Sequence, residues 1–499
     1  MRLVLAFILF GLAAPAAVVS AADAPQSQPS ARAQRNLDDF DFVVKKITAN
    51  YAGWDTKVTD KTRPQLEALT TKLRAKAATA SDDELLSILQ QWIGFFHDGH
   101  TGVSAVAVDS PASSSAAATK IVVPTLPWSE HYVEAKLAKL ETSRDPIEGT
   151  WGIDEDQPWG ARLAVMRDVR SASGFSGVVV RSKGGGWNVG EKRAAIERKK
   201  DGTYVAHLTL GDGRKVDFAG RVVADGDIFQ VKDGEAWFRD WPKAHDPDKA
   251  ERLFPSGRLF LKRLSPKTLW LRIPSFDESQ YKPLKDLVAA HRKELESTPN
   301  LLIDLRNNGG GSDYVYGVLM PLLYTRPVIS VGIQLRASTD NIALREAVAE
   351  RIKKDVPDAA AQIEAQNKLM QQHLGEYVAP DPIPFGFDRE DKVLPYPRRV
   401  AVLIDGAGSS AEQFLLDARQ SHKVTLFGKR NSAGVLDFAN IVSIPTPSGR
   451  YQVRWGTSRS LRVPDDPVDP DGIAPDIRIP SKVADPVLYA KDWLDRQVD

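Results

Sequence analysis

Two glycine-bounded turns hold the residues of this chain best suited to chemistry. In GAGSSAEQFLLDAR, residues 406–419, Ser409 and Ser410 stand at the head of a predicted helix. Ser409 and Glu412 have the S-x-x-E spacing of a capping box, which satisfies free N–H groups at a helix start. The same place suits a nucleophile, because the helix dipole and those N–H groups stabilise an oxyanion. Capping alone explains the spacing, so the rest of the chain must decide. A serine hydroxyl is a weak nucleophile and needs a base. His100 lies in a tight turn, HDGHTG, residues 97–102, and not on a helix face. His131, His245, His291 and His422 sit in polar, surface-like contexts. His97, Asp98 and His100 match no standard helical zinc spacing. A third stretch, LLIDLRNNGGG at 301–311, ends an apolar run in three glycines. Glycines let backbone N–H groups approach a ligand closely. A plain turn reads equally well, and a phosphate cradle less so without a G-x-x-x-x-G-K-[ST] pattern.

These turns need elements to hold them. NLLIDL and RRVAVLID read as buried strands, each ending in one of the loops above, and sites in open α/β sheets lie outside such carboxyl ends. TLWLRIPSF and KVTLFG are further strands, and YKPLKDLVAAHRKELES is a helix, so residues 257–499 are expected to form an α/β domain. NIALREAVAERIKKDV and AAAQIEAQNKLMQQHL read as helices of a surface insertion. Residues 36–105 are expected to be helical up to the His100 turn, with Phe40, Val43, Val44 and Ile47 on one face and a Ser81 cap before Leu85, Leu86 and Leu89. Residues 106–145 read as a loop followed by an exposed linking helix, WSEHYVEAKLAKLETS. Across 146–245, eight short strands separated by Gly/Asp/Asn turns predict an inserted up-and-down β-barrel or a compact sandwich.

The 499 residues exceed one ordinary core and predict two or three domains. The formal net charge of +1, from 66 basic and 65 acidic residues, points to neither a nucleic-acid nor a membrane-surface partner. The chain has no cysteine, which excludes disulfides, thiolate zinc sites and cysteine nucleophiles. Residues 1–22 read as a secretory signal peptide, and 23–35 as a polar, Pro/Ser-rich linker. The expected product is exported, periplasmic or secreted, without a membrane span after cleavage.

Four stretches in order, FFHDGHTGV, LWLRIPSF, LLIDLRNNGGG and VAVLIDGAGSSAEQF, make the chain resemble the tail-specific and tricorn-core family of serine peptidases. DPVDPDGIAPDIRIP, residues 466–480, is similar to the family's closing segment. The resemblance implies a ClpP/crotonase-like sheet with helices, a peptide or protein substrate, and no metal or organic cofactor. It places the nucleophile on Ser409. The tail-specific branch takes its base from a lysine 25 residues later, where this chain has Gly434; Lys429 is the nearest lysine. The tricorn-like branch uses a histidine that falls on His100, and an acid that falls on Asp469. That branch has a serine before its histidine, where Gly99 stands here. The resemblance also implies an oxyanion hole built from N–H groups of Gly309 or Gly310 and of Ser410. No peptide-binding PDZ module is recognisable; the 146–245 insert fills its slot. The alternative is a non-catalytic binding protein for an apolar ligand or peptide on the same scaffold.

Overall fold

The computed structural model describes residues 30–497 apart from 107–122, 141–142, 154–159, 169–173, 185, 211–214, 232–235 and 355. The expected signal peptide lies outside the described residues, as does most of the expected linker. Residues 31–35 of that linker are helical. Ser30 accepts a hydrogen bond from the Ala33 N–H and starts the helix Ala31–Asn50 there.

A six-stranded sheet runs Phe260–Arg263, Thr268–Arg272, Asn300–Asp304, Arg399–Leu403, Val424–Gly428 and Ile477–Arg478. The first strand is an antiparallel edge, and the rest are parallel. Both faces are buried, as parallel sheets require. Leu269, Leu271, Leu301, Ile303, Val400 and Val402 pack to one side with Phe414 and Leu415 of the helix Ser410–Ala418. Trp270, Leu302, Ala401 and Leu403 alternate to the other side, under Val487, Ala490 and Leu494 of the helix Pro486–Arg496. Because Asn300–Asp304 and Arg399–Leu403 are parallel neighbours, the glycine loop and the Ser409 turn emerge side by side.

A second sheet brings the N-terminal region to that edge. Phe438–Pro445 and Tyr451–Ser460 form a long hairpin. Gly102–Ala105 pairs antiparallel with it, Gly102 facing Arg454 and Ala105 facing Tyr451. Phe40, Val43, Ile47, Leu85, Leu89, Trp92 and Phe96 share one core with Phe438, Val453 and Trp455 of the hairpin. The N-terminal helices therefore close over this sheet and do not form a separate core.

The eight predicted strands of 146–245 form one closed barrel, from Gly149–Ile153 to Ala236–Trp241. Its interior is filled: Trp151, Tyr204, Phe229 and Trp237 are buried and in ring contact. An eight-stranded barrel is just wide enough for side chains to fill. The linking helix Glu130–Ala138 is not the exposed helix expected. Val133 and Leu137, one turn apart, are fully buried against Ala164, Met166 and Val178 on the outside of the barrel.

Candidate active site

Ser409 follows Gly406-Ala407-Gly408 and precedes the helix Ser410–Ala418. Its backbone lies at φ 56°, ψ −127°, a region costly for any residue but glycine and stored mostly at functional sites. The Glu412 N–H goes to the Ser409 carbonyl oxygen at 2.7 Å. The predicted Ser409–Glu412 capping pair is present, with the Ser409 N–H donating to Glu412 Oε2 at 3.1 Å, and the elbow leaves Ser409 half-buried.

Two neighbouring loops brace the elbow. The Gly408 N–H donates to the Asn308 carbonyl at 2.9 Å, and the Asn307 N–H donates to the Asp405 carbonyl at 2.9 Å. The glycine loop is itself fixed by a buried bidentate pair, Arg306 Nε and Nη2 on the two Asp304 oxygens at 2.8 and 2.7 Å. Arg272 Nη1, fully buried, holds the Arg306 carbonyl at 2.8 Å. Gly310 must be glycine, because a Cβ there would lie 2.7 Å from Ser409 Cβ. Its N–H, expected in the oxyanion hole, is spent on Asn308 Oδ1 at 2.9 Å. Gly311 lines the cleft beside Ser409 and Ser410, whereas Gly309 and Gly310 do not. The Ser410 N–H has no acceptor among the described residues.

His100 and Ser409 line one cleft of about 690 Å³, with Ile441 and Arg462. His100 is buried, and its Nδ1 lies 2.6 Å from the Phe438 carbonyl oxygen. A carbonyl only accepts, so Nδ1 carries a proton, and in the neutral ring Nε2 keeps the lone pair. The turn is set by Asp98, whose Oδ1 accepts the His100 N–H at 2.8 Å and whose Oδ2 accepts the Thr101 hydroxyl at 2.9 Å. Lys429 is exposed and does not line the cleft.

Asp469 is buried, but the His100 Nδ1 goes to a carbonyl and not to this acid. Asp469 Oδ1 instead accepts the N–H groups of Leu436 and Asp437 at 2.6 and 2.9 Å. Asp437 returns the bond: its Oδ2 accepts the N–H groups of Val468 and Asp469 at 2.6 and 2.9 Å. Asp469 Oδ2 has no hydrogen-bond partner among the described residues. Burial pushes the Asp469 carboxyl up to about 7, against the pull of its two backbone donors, with Asp437 and Asp98 adding to the rise.

Glu412 is the residue whose full part the sequence hid. It is fully buried, and four donors meet its carboxylate: the Ser409 N–H at 3.1 Å, the Ser432 hydroxyl at 2.5 Å, and the Gly434 and Val435 N–H groups at 2.7 and 2.9 Å. The S-x-x-E spacing signalled the first of these bonds and could not signal the others. Four successive N–H groups, 434 to 437, are therefore held by two buried carboxylates. The segment they fix ends at Phe438, whose carbonyl orients His100.

Residues 267–479 match the sequence model of Peptidase family S41. The match takes in Ser409, the glycine loop and Asp469, and stops short of His100. No curated protein matches the chain by sequence. Among solved structures, mature CPAF is similar at 13% identity and a TM-score of 0.47, over 93% of this chain and 96% of that one. The photosystem II D1 C-terminal processing protease aligns at 11% identity and a TM-score of 0.36, over 92% of this chain and 96% of that one. A lipoprotein from Streptococcus agalactiae aligns at 10% identity and a TM-score of 0.36, over 93% and 97%. The α/β portion of the chain, residues 267–479, is thus similar to peptidase family S41, a family of serine-type peptidases.

Proposed function

We propose that the protein is an exported peptidase that cleaves peptide bonds through an acyl-enzyme, with Ser409 as nucleophile and His100 as general base. The observation that carries this reading is the His100 tautomer: Nδ1–H is committed to the Phe438 carbonyl, so Nε2 is the nitrogen left to act as base, and His100 lines the same cleft as Ser409. Ser409 Oγ attacks the scissile carbonyl while Nε2 takes its proton. The tetrahedral oxyanion forms against the Ser410 N–H at the helix start, with Gly311 supplying the glycine-loop side in place of Gly309 or Gly310. Collapse returns the proton to the leaving amine, and water repeats the sequence on the ester. Asp469 acts at one remove, by holding the segment that anchors His100. Export rests on the leader-like residues 1–22. No helix among the described residues is long and apolar enough to cross a membrane.

The test compares His100→Ala with Lys429→Ala in hydrolysis of fluorescently labelled casein. His100→Ala is expected to lose about a thousandfold or more, as other base deletions do, and Lys429→Ala to keep near wild-type activity. The reverse pattern would give the base to the lysine.

A further inference from the structure

Glycine at position 99 is the point where the chain departs from the tricorn-like pattern, and the structure gives a physical reason for it. A Cβ at Gly99 would lie 2.6 Å from Val435 Cγ1. Carbon atoms in contact sit about 3.5–4.0 Å apart, so the overlap would be about 1 Å. The backbone raises no objection, because Gly99 is not among the glycines at positive φ. On the other side, a Cβ at Gly408 would lie 2.9 Å from Val435 Cγ2. One methyl of Val435 therefore faces the turn that carries His100, and the other faces the turn that carries Ser409.

Val435 has little freedom to yield. Its N–H is bound to Glu412 Oε2 at 2.9 Å, and the residues on either side are tied to Glu412 and Asp469. A β-branched side chain has few χ1 positions, and turning away from one glycine moves a methyl toward the other. We infer that Val435 is a positioning residue: a spacer seated between Gly99 and Gly408 that sets the separation of the His100 ring from the Ser409 hydroxyl. Glycine at 99 is then required by Val435 and not by the chemistry of His100. This rests on the Ser409–His100 assignment proposed above.

Rescue by a second substitution tests it. The rate of Ser409 labelling by a fluorophosphonate reads base-assisted nucleophilicity without needing the natural substrate. Four full-length proteins are compared: wild type, Gly99→Ala, Val435→Ala and the double variant. Gly99→Ala is expected to label about a hundredfold more slowly, the effect of a displacement of about 1 Å at a reacting pair. Val435→Ala, which loses the spacer without adding a clash, is expected to label about tenfold more slowly than wild type, and the double variant to match it, about tenfold faster than Gly99→Ala, because contacting residues couple. Gly99 is exposed and Val435 partly buried, so all four should still melt cooperatively, and labelling is compared well below the lowest melting temperature. Wild-type labelling by Gly99→Ala would overturn the spacer, and so would a double variant as slow as Gly99→Ala, whether or not its fold is restored. A wild-type protein that is not labelled at Ser409 would refute the underlying assignment and the spacer with it. A labelled wild type with an unimpaired Gly99→Ala would refute the spacer alone.

Discussion

Replacing Asp469 by asparagine should flatten the dependence of stability on pH. The carboxyl titrates at about 7 in the folded chain, against 3.8 for an ordinary aspartate. The folded state therefore holds this proton more tightly than the unfolded state. Its contribution to stability is complete below about pH 4 and is lost as pH rises through about 7. At about 1.4 kcal/mol for each pH unit between the two values, the whole effect is about 4 kcal/mol. The cause is local: Oδ1 is occupied by two backbone donors, and Oδ2 is buried without a partner, near Asp437 and Asp98. Asparagine keeps an oxygen for the Leu436 and Asp437 N–H groups and carries no charge at any pH. The assay is urea unfolding of wild type and Asp469→Asn at pH 5, 6, 7 and 8. Wild type is expected to lose stability across this range relative to the variant, with the variant the more stable of the two at pH 8. Parallel curves, or a variant that loses more stability than wild type as pH rises, would contradict a raised Asp469 carboxyl.

Glu412→Ala leaves three N–H groups and a hydroxyl without their acceptor, so it should cost about 3 kcal/mol or more and abolish casein hydrolysis; Glu412→Gln, which keeps an acceptor oxygen, should cost less in urea unfolding. Leu137→Ala should cost about 2–5 kcal/mol, because that side chain is fully buried on the barrel; a cost under about 1 kcal/mol would return the helix to the exposed class. Expression with the native leader should yield protein outside the cytoplasm with an N-terminus near Asp23, read by intact mass, and an unprocessed cytoplasmic product would count against export.

The parallel strands were legible because Leu301–Ile303 and Val400–Leu403 are unbroken apolar runs ending in glycine turns. All eight barrel strands were legible from their turns. The helix over 130–138 was found but its face was misread, because a two-residue apolar stripe, Val133 and Leu137, is weak among charged neighbours. The hairpin Phe438–Ser460 was missed, although the TPSG turn between two runs of β-formers signals it. The Phe438 carbonyl on this hairpin anchors His100 from 338 residues away, beyond the reach of any local pattern. Glu412 was seen as a helix cap because only its local partner, Ser409, lies within reach of a sequence pattern. The donors at 432, 434 and 435 come from the fold. The resemblance implies Gly309 or Gly310 for the oxyanion hole, and the bond from the Gly310 N–H to Asn308 Oδ1 depends on a side-chain rotamer that no spacing reveals.

Ser409 is proposed to be a nucleophile activated by His100. Its most direct test is to treat the intact protein with a fluorophosphonate and map the adduct by peptide mass spectrometry. Wild type should carry one adduct, on Ser409, with Ser410→Ala labelled like wild type, Ser409→Ala unlabelled and His100→Ala labelled far more slowly. A folded protein that stays unlabelled, an adduct on Ser410, or wild-type labelling in His100→Ala would contradict it.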